Sequence, residues 1–191
     1  MRTLALVTAA LGLAGLMIGC SSNEGGAEDA ESSASAADYA SRDLAPVRAA
    51  TAKYHDVNVA LADGYQPGGP CTAVPGLGGM GIHFINFDRA FAPINANEPT
   101  VVLFEPTNDG LKLVAVEYVQ FIFQDGRPYT DSAPPRPESI PPAPQLFGQT
   151  FDGPMPGHFP GMPWHFDFHV WIWKHNPNGM FTDFNPNVKC P

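Results

Sequence analysis

Imidazole and carboxylate side chains alternate with apolar ones over residues 165–175, which read His-Phe-Asp-Phe-His-Val-Trp-Ile-Trp-Lys-His. In an extended strand, successive side chains point to opposite faces of the sheet. One face would then be apolar apart from a final lysine: Phe166, Phe168, Val170, Ile172 and Lys174. The other would collect imidazoles, a carboxylate and two indoles: His165, Asp167, His169, Trp171, Trp173 and His175. Because imidazole and carboxylate groups bind metals and transfer protons, this stretch is the best candidate for a site.

Two further ionisable residues lie inside apolar stretches. Glu117 shares the odd positions of a predicted strand, Leu111 to Phe123, with apolar side chains only, and His83 lies in Met80-Gly81-Ile82-His83-Phe84. A lone carboxylate on an apolar face must be paired, metal-bound or protonated, because burying an isolated charge is very costly.

Two histidines and one carboxylate from separate strands are a common ligand set for Fe(II), Mn(II) or Zn(II) with open positions. We therefore predict that His83, Glu117 and His169 converge on a divalent metal, with His165 as the candidate fourth ligand. If the protein is an enzyme, Glu117 would be the catalytic residue, as ligand or general base, acting on a small molecule.

The same residues have a structural interpretation. Glu117 could form an ion pair with Arg89 or Arg127, and His83 could be a core histidine bonded to a backbone carbonyl. The spacing does not decide between the two interpretations.

A softer ligand set occurs in Met155-Pro-Gly-His158-Phe-Pro-Gly-Met162-Pro-Trp164-His165. Thioether sulfur and imidazole together suit Cu(I), so copper binding by Met155, His158, Met162 and His165 is a second hypothesis. The alternative is that the methionines only pack this segment onto the core. A third hypothesis is a metal-free envelope protein whose polar strand face binds a partner.

The amino-terminal segment predicts export and lipidation. After Met1-Arg2, an apolar run from Leu4 to Ile18 leads to Gly19-Cys20, which resembles a bacterial lipobox with Cys20 as the lipidated residue. An uncleaved transmembrane anchor is the alternative, but no basic stop-transfer cluster follows. Residues 21–38 carry five acidic groups and no aromatic or basic residue, so we expect a tether without a core.

We therefore expect a signal peptide at 1–19, a tether at 20–38 and one globular domain at 39–191. The domain would lie on the extracytoplasmic face of the bacterial cell envelope, held to the membrane through the lipid on Cys20. The net charge of the whole chain is −9, which predicts no nucleic-acid partner. Cys71 and Cys190 are an even pair in an exported protein, which predicts a disulfide.

The remaining pattern predicts an α+β fold. Asp43 can cap a helix whose stripe is Val47, Ala50, Tyr54, Val57 and Leu61, and which Gly64 ends. Asn108-Asp109-Gly110 joins two apolar runs into a hairpin. The chain has twenty-one prolines, and eleven of them lie between Gln124 and Trp164, which predicts a long Pro/Gly-rich lid loop there. We expect one N-terminal helix packed on a curved antiparallel sheet or a small open β-barrel.

Several segments resemble an uncharacterised family of exported bacterial lipoproteins. They are residues 49–56, 60–65, 80–84 and 116–118, and the closing stretch His-Val-Trp-Ile-Trp-Lys-His-Asn-Pro-Asn-Gly-Met-Phe at 169–181. The resemblance implies that residues from about Asp43 to Cys190 form one unit and that Cys71 and Cys190 belong to its pattern. It implies no activity.

Overall fold

The computed structural model describes residues 44–191. The predicted signal peptide, the lipidation at Cys20, the tether and the Asp43 cap lie outside the described residues. Within them, no helix combines the length and the apolar character needed to cross a membrane.

The largest element of the described chain is an antiparallel sheet of seven strands. The strands are β1 Gln66–Pro67, β2 Thr72–Val74, β3 Gly78–Ile85, β4 Val101–Thr107, β5 Gly110–Phe121, β10 Asp152–Met155 and β11 His165–Val170. Their order in the sheet is β1-β3-β4-β5-β11-β10, with β2 also paired to β3. The order ends without closing among the described residues, so the sheet is open. Sheet and helices together make the predicted α+β class.

The predicted hairpin is confirmed. Strands β4 and β5 pair from Val101 opposite Glu117 to Thr107 opposite Gly110, so a two-residue loop joins them. The Thr107 hydroxyl donates to the carbonyl of Gly110 at 2.8 Å and stabilises the turn. Strand β5 ends at Phe121, two residues before the predicted end.

The sheet is buried on both faces, and a bulge decides which face Glu117 occupies. Leu103 pairs with Ala115 but the next residue of β4 pairs with Leu113, which leaves Val114 as an extra residue. Leu113 therefore packs on the helix side, and Ala115 packs on the opposite side together with Glu117. The predicted strict alternation from residue 111 to residue 123 is wrong on this point.

The predicted single helix is instead two short helices. Residues 44–51 form α1, Ala52–His55 form a 3₁₀ turn and Val57–Ala62 form α2. Asp56 is extended and its carboxylate accepts the backbone N–H of Asn58 at 2.9 Å, so it caps α2 and interrupts the helix. The interruption rotates the predicted stripe, which leaves Leu61 exposed and Ala60 buried. A further short helix, α3, spans Phe87–Ala90.

The proline-rich segment is more regular than predicted. It contains two small ladders, β6 Phe123–Gln124 with β7 Arg127–Pro128 and β8 Gln145–Leu146 with β9 Gln149–Thr150. Strand β10 then joins the main sheet as its end strand, beside β11. Pro154 has no backbone N–H to donate to the ladder. It lies where the register of that ladder shifts, so no ladder hydrogen bond is lost there.

The carboxy-terminal segment is fastened to the start of the core. The predicted disulfide joins Cys71 to Cys190, across 119 positions of sequence. Asn185 bridges to Gly79, and a Cβ on the neighbouring Gly78, whose φ is +107°, would lie 2.3 Å from the carbonyl oxygen of Asn185. Gly78 and Gly79 lie at the start of β3, where the lack of a side chain permits this close approach.

Candidate metal centre

Three strands bring His83, Glu117 and His169 together. His169 lies directly opposite Glu117 in the β11–β5 ladder, and β3 supplies His83 from two strands away. The Nε2 atoms of His83 and His169 lie 3.5 and 3.8 Å from Oε2 of Glu117. One candidate ligand atom from each residue falls within 4.8 Å of the other two. The predicted convergence of the three side chains is thus observed, while their role as ligands stays a prediction.

The structural alternative has little support in this geometry. Arg89 donates to the hydroxyl of Tyr65 and lies 3.4 Å from that of Tyr54, and Arg127 is exposed on β7. Among residues 44–191, neither arginine pairs with Glu117, and the ring of His83 has no carbonyl partner. Among the described residues, the ionisable side chains within 4.0 Å of the Glu117 carboxylate are the two histidines.

Burial leaves this cluster with unsatisfied polar atoms. Glu117 and His169 are 3 % and 1 % exposed. Within the described part of the chain, the buried side-chain polar atoms without a hydrogen-bond partner are Glu117 Oε2, His165 Nε2 and both ring nitrogens of His169. Buried polar atoms in folded proteins are nearly always hydrogen-bonded or metal-bound. All four such atoms lie along this one face of the sheet.

The electrostatics suit a cation. Burial, reinforced by the neighbouring His169 and His158, lowers the pKa of His83 to about 3, and burial also lowers the pKa of His169. Both rings are therefore neutral at neutral pH, the form that binds metals. Burial, with Asp167 and Asp183 nearby, raises the pKa of Glu117 well above its usual value. Among residues 44–191, the side chains that contact Glu117 as ion-pair candidates are these two neutral histidines, so no positive charge there compensates its carboxylate.

His165, predicted as the fourth ligand, lies in a second group instead. That group consists of His158, His165 and Asp167, whose candidate ligand atoms also lie within 4.8 Å of one another. Nε2 of His165 is 3.7 Å from Oδ2 of Asp167, and the rings of His158 and His165 are 4.8 Å apart.

Part of the predicted copper set lies here as well. The backbone N–H of His158 donates to the Met162 sulfur at 3.4 Å, so His158, Met162 and His165 are near one another. Met155 lies opposite His165 in the β10–β11 ladder but does not line the cavity described next.

One cavity of about 400 Å³ contacts both groups. Its polar lining includes His83 and Glu117 from the first group and His158 from the second. Most of the remaining wall is apolar: Met80, Ile85, Val101, Phe159, Met162 and Phe184. A concave apolar site with a few converging polar groups is the usual form of a small-molecule site.

The polar face predicted for residues 165–175 ends before Trp173. Strand β11 ends at Val170, but Trp171 is still buried on the site side and Ile172 on the helix side, as the alternation predicts. Trp173 turns to the helix side instead, where its Nε1 donates to Thr51 Oγ1 at 3.2 Å, and His175 is exposed. The alternation is therefore followed over residues 165–172.

Two acidic residues of this region were missed. Oδ1 of Asp183 lies 3.7 Å from Nδ1 of His169, and Asp152 lies opposite Asp167 in the β10–β11 ladder. Burial raises the pKa of both carboxyls, and other carboxylates nearby raise it further. No local signal identified them, because Asp152 lies in the segment predicted to be irregular and Asp183 follows the last predicted strand.

The chain matches no protein-family model, no curated protein and no solved structure. The resemblance to exported lipoproteins stays a prediction, and the chemistry of the site must be argued from its own residues.

Proposed function

We propose that this protein binds a divalent metal ion through His83, Glu117 and His169 and uses it to bind or turn over a small molecule in the adjoining cavity. The observation that carries the proposal is that buried candidate ligand atoms of Glu117 and His169 have no hydrogen-bond partner in the part of the chain that the structure describes. The part of the Pro/Gly-rich segment that bears Phe159 and Met162 would act as a lid over the cavity.

The spacing of the ligand atoms supports a small divalent ion. Two ligands about 2.0 Å from one Zn²⁺ at a tetrahedral angle lie about 3.3 Å apart. The two histidine nitrogens lie 3.5 and 3.8 Å from the Glu117 oxygen, and all three ligand atoms lie within 4.8 Å of one another, so a contraction of about 1.5 Å or less is needed for each pair. Two imidazoles and a carboxylate suit Zn(II), Fe(II) or Mn(II), and three protein ligands leave at least one position open.

The positions of His83 and Glu117 relative to the cavity suggest different roles for the two residues. A bound divalent ion would polarise a substrate oxygen or activate a water molecule. His83 is 19 % exposed through its side chain and lines the cavity, so it would hold the ion at the entrance. Glu117 also lines the cavity but is deeply buried, which suits it to act as ligand or as acceptor of a proton from the bound molecule.

Metal analysis tests this proposal directly. The full-length protein is purified without chelators, and its metal content is measured by inductively coupled plasma mass spectrometry. We expect Glu117→Gln, which keeps the size of the side chain, to lose one equivalent of iron, manganese or zinc. His175→Ala is the matched control, since His175 is exposed and belongs to neither group. Unchanged metal content in Glu117→Gln, also after reconstitution with each ion, would refute the proposal.

Copper binding by Met155, His158, Met162 and His165 remains a second candidate, favoured by the proximity of three of these residues. It predicts Cu(I) binding that Met155→Leu with Met162→Leu removes. The partner-interface hypothesis is less favoured, because His165, Asp167 and His169 are at most 3 % exposed.

The proposed setting is the extracytoplasmic face of the bacterial cell envelope, with Cys20 lipidated. Membrane fractionation of wild type and Cys20→Ala, made in a bacterial host, tests this setting separately. We expect the wild type in the membrane fraction and the variant in the soluble or retained precursor fraction.

A further inference from the structure

We propose that His158, His165 and Asp167 form a second, separate divalent-cation site on the same cavity. This inference does not rest on the first site holding a metal, because the two groups share no ligand residue. The proposed site differs from the copper hypothesis in its ligands: the carboxylate of Asp167 takes the place of the Met155 and Met162 thioethers.

The hydrogen bond of His165 determines which nitrogen is free. Its Nδ1 lies 3.0 Å from the carbonyl oxygen of Pro163, which can only accept a hydrogen bond, so Nδ1 carries the proton. In the neutral ring Nε2 then presents a lone pair. A carbonyl that holds one imidazole nitrogen while the other is left free is the usual arrangement around a metal-binding histidine.

The free nitrogen of His165 faces a carboxylate. Nε2 lies 3.7 Å from Oδ2 of Asp167, has no hydrogen-bond partner among the described residues and is wholly buried. Two acceptors that face each other in a buried place repel unless a positive charge lies between them.

The separation of these two atoms favours a metal ion over a proton. A protonated His165 would donate to Asp167, and such charge-assisted bonds are about 2.7–2.9 Å long. Two ligands of one Zn²⁺ lie about 3.3 Å apart or more, depending on the angle at the metal. The observed 3.7 Å fits the second case better.

His158 supplies the third ligand and the access route. It is exposed, it lines the cavity of about 400 Å³, and it also lines a second cavity that shares Phe159 and Met162 with the first. An ion could therefore enter past His158 and meet the buried pair behind it. Because its ring is 4.8 Å from that of His165, His158 could complete the site with little movement.

The ligand chemistry points to a borderline divalent ion. Two imidazole nitrogens with a carboxylate oxygen suit Zn²⁺ or Cu²⁺, whereas Cu(I) prefers thioether or thiolate sulfur. The Met162 sulfur already accepts the backbone N–H of His158, so it shapes the loop and is not one of the proposed ligands. Zn²⁺ is the appropriate probe, since it has no redox chemistry of its own.

The test is a Zn²⁺ titration of the full-length, chelator-stripped protein with a competing chromophoric chelator. The variants are His158→Ala, which removes an exposed ligand of the second site, and Glu117→Gln, which removes a ligand of the first. The control is His175→Ala. We expect two equivalents of Zn²⁺ in wild type and control, one in each single variant and none in the double variant. Asp167→Asn should behave as His158→Ala does.

Other results separate the two proposals. One equivalent that Glu117→Gln removes and His158→Ala retains would overturn the second site and leave the first. One equivalent that only His158→Ala removes would overturn the first and leave the second. One equivalent lost in either variant would mean a single shared site, which also overturns the second-site proposal, and no bound Zn²⁺ would overturn both. Circular dichroism of each variant verifies its fold.

Discussion

His169 lies directly opposite Glu117 in the β11–β5 ladder, with its Nε2 3.8 Å from Oε2 of the carboxylate. Both atoms are buried, and neither has a hydrogen-bond partner among residues 44–191. This distance is too long for a hydrogen bond, but two buried polar atoms this close interact electrostatically. Since directly opposed side chains of an antiparallel pair share a face, the ladder holds the two groups in this relation. The pairing of the strands therefore positions the candidate site. The predictions that follow concern both the candidate ligands and the sheet that holds them.

Glu117 should make the metal-free protein less stable as the pH rises. Its pKa is raised above the ordinary 4.5, so the folded state retains a proton that the unfolded state releases. Stability from that proton is complete below the unfolded pKa and is lost as the pH rises toward the folded pKa. The loss is about 1.4 kcal/mol per pH unit within that window.

Glu117→Gln is the matched comparison, because it keeps a neutral side chain at every pH and leaves the histidines unchanged. Urea unfolding with a chelator present, at pH 5 and at pH 8, should show the free energies of unfolding of wild type and variant diverging as the pH rises, with the variant the more stable at pH 8. Parallel pH dependences for the two proteins would show that the carboxyl of Glu117 is ionised without cost.

Zn²⁺ should stabilise the protein through His83. A ligand at about 100 times its dissociation constant adds about 2.7 kcal/mol when it binds only the folded state. We expect the midpoint of thermal unfolding to rise on addition of Zn²⁺ in wild type, and the rise to be smaller in His83→Ala, which keeps only the site proposed at His158, His165 and Asp167. His55→Ala serves as the control, since His55 is exposed and remote from both ligand groups. An equal rise in His83→Ala would argue against His83 as a ligand.

Gly81→Ala should destabilise the sheet by about 2 kcal/mol or more, through backbone strain together with a steric clash. Its φ is +103°, and an added Cβ would lie 2.7 Å from the carbonyl oxygen of Phe104 on the neighbouring strand. Gly76→Ala provides the contrast, because its φ is +85° with nothing within 4 Å of the added atom, so it carries the strain alone. Urea unfolding of both variants measures the difference, and equal losses would contradict the close approach of the strands.

Loss of the disulfide should cost roughly 3–5 kcal/mol, because it closes a long loop in the unfolded chain. Cys71 and Cys190 are 119 positions apart. The variant Cys71→Ser with Cys190→Ser, compared with wild type under oxidising conditions, tests this by denaturant unfolding. Under a strong reductant the two proteins should be equally stable, and a difference that persists there would assign the effect to the serines instead.

Much of the local structure could be predicted because its signals are local. The alternation over residues 165–172 and the turn Asn108-Asp109-Gly110 follow from strand periodicity and turn chemistry within a few residues. The break at Asp56 could not be predicted in the same way. The apolar stripe continues with the helical period across Asp56, so periodicity predicts an unbroken helix. The Asp56 carboxylate nevertheless accepts a backbone N–H and interrupts it.

By itself, the sequence determined which chemistry the sheet could carry. Glu117 stands alone among apolar neighbours, and His165, Asp167 and His169 recur every second residue along a strand. Both patterns concern burial and periodicity, so they hold whatever the register of the strands. The tertiary structure decided which of these groups meet. It paired β11 with β5 across more than forty intervening residues, turned Leu113 away from Glu117 through the bulge at Val114, and placed Asp183 beside His169. Register between distant strands depends on the packing of both sheet faces at once, and no stretch of sequence contains that information alone.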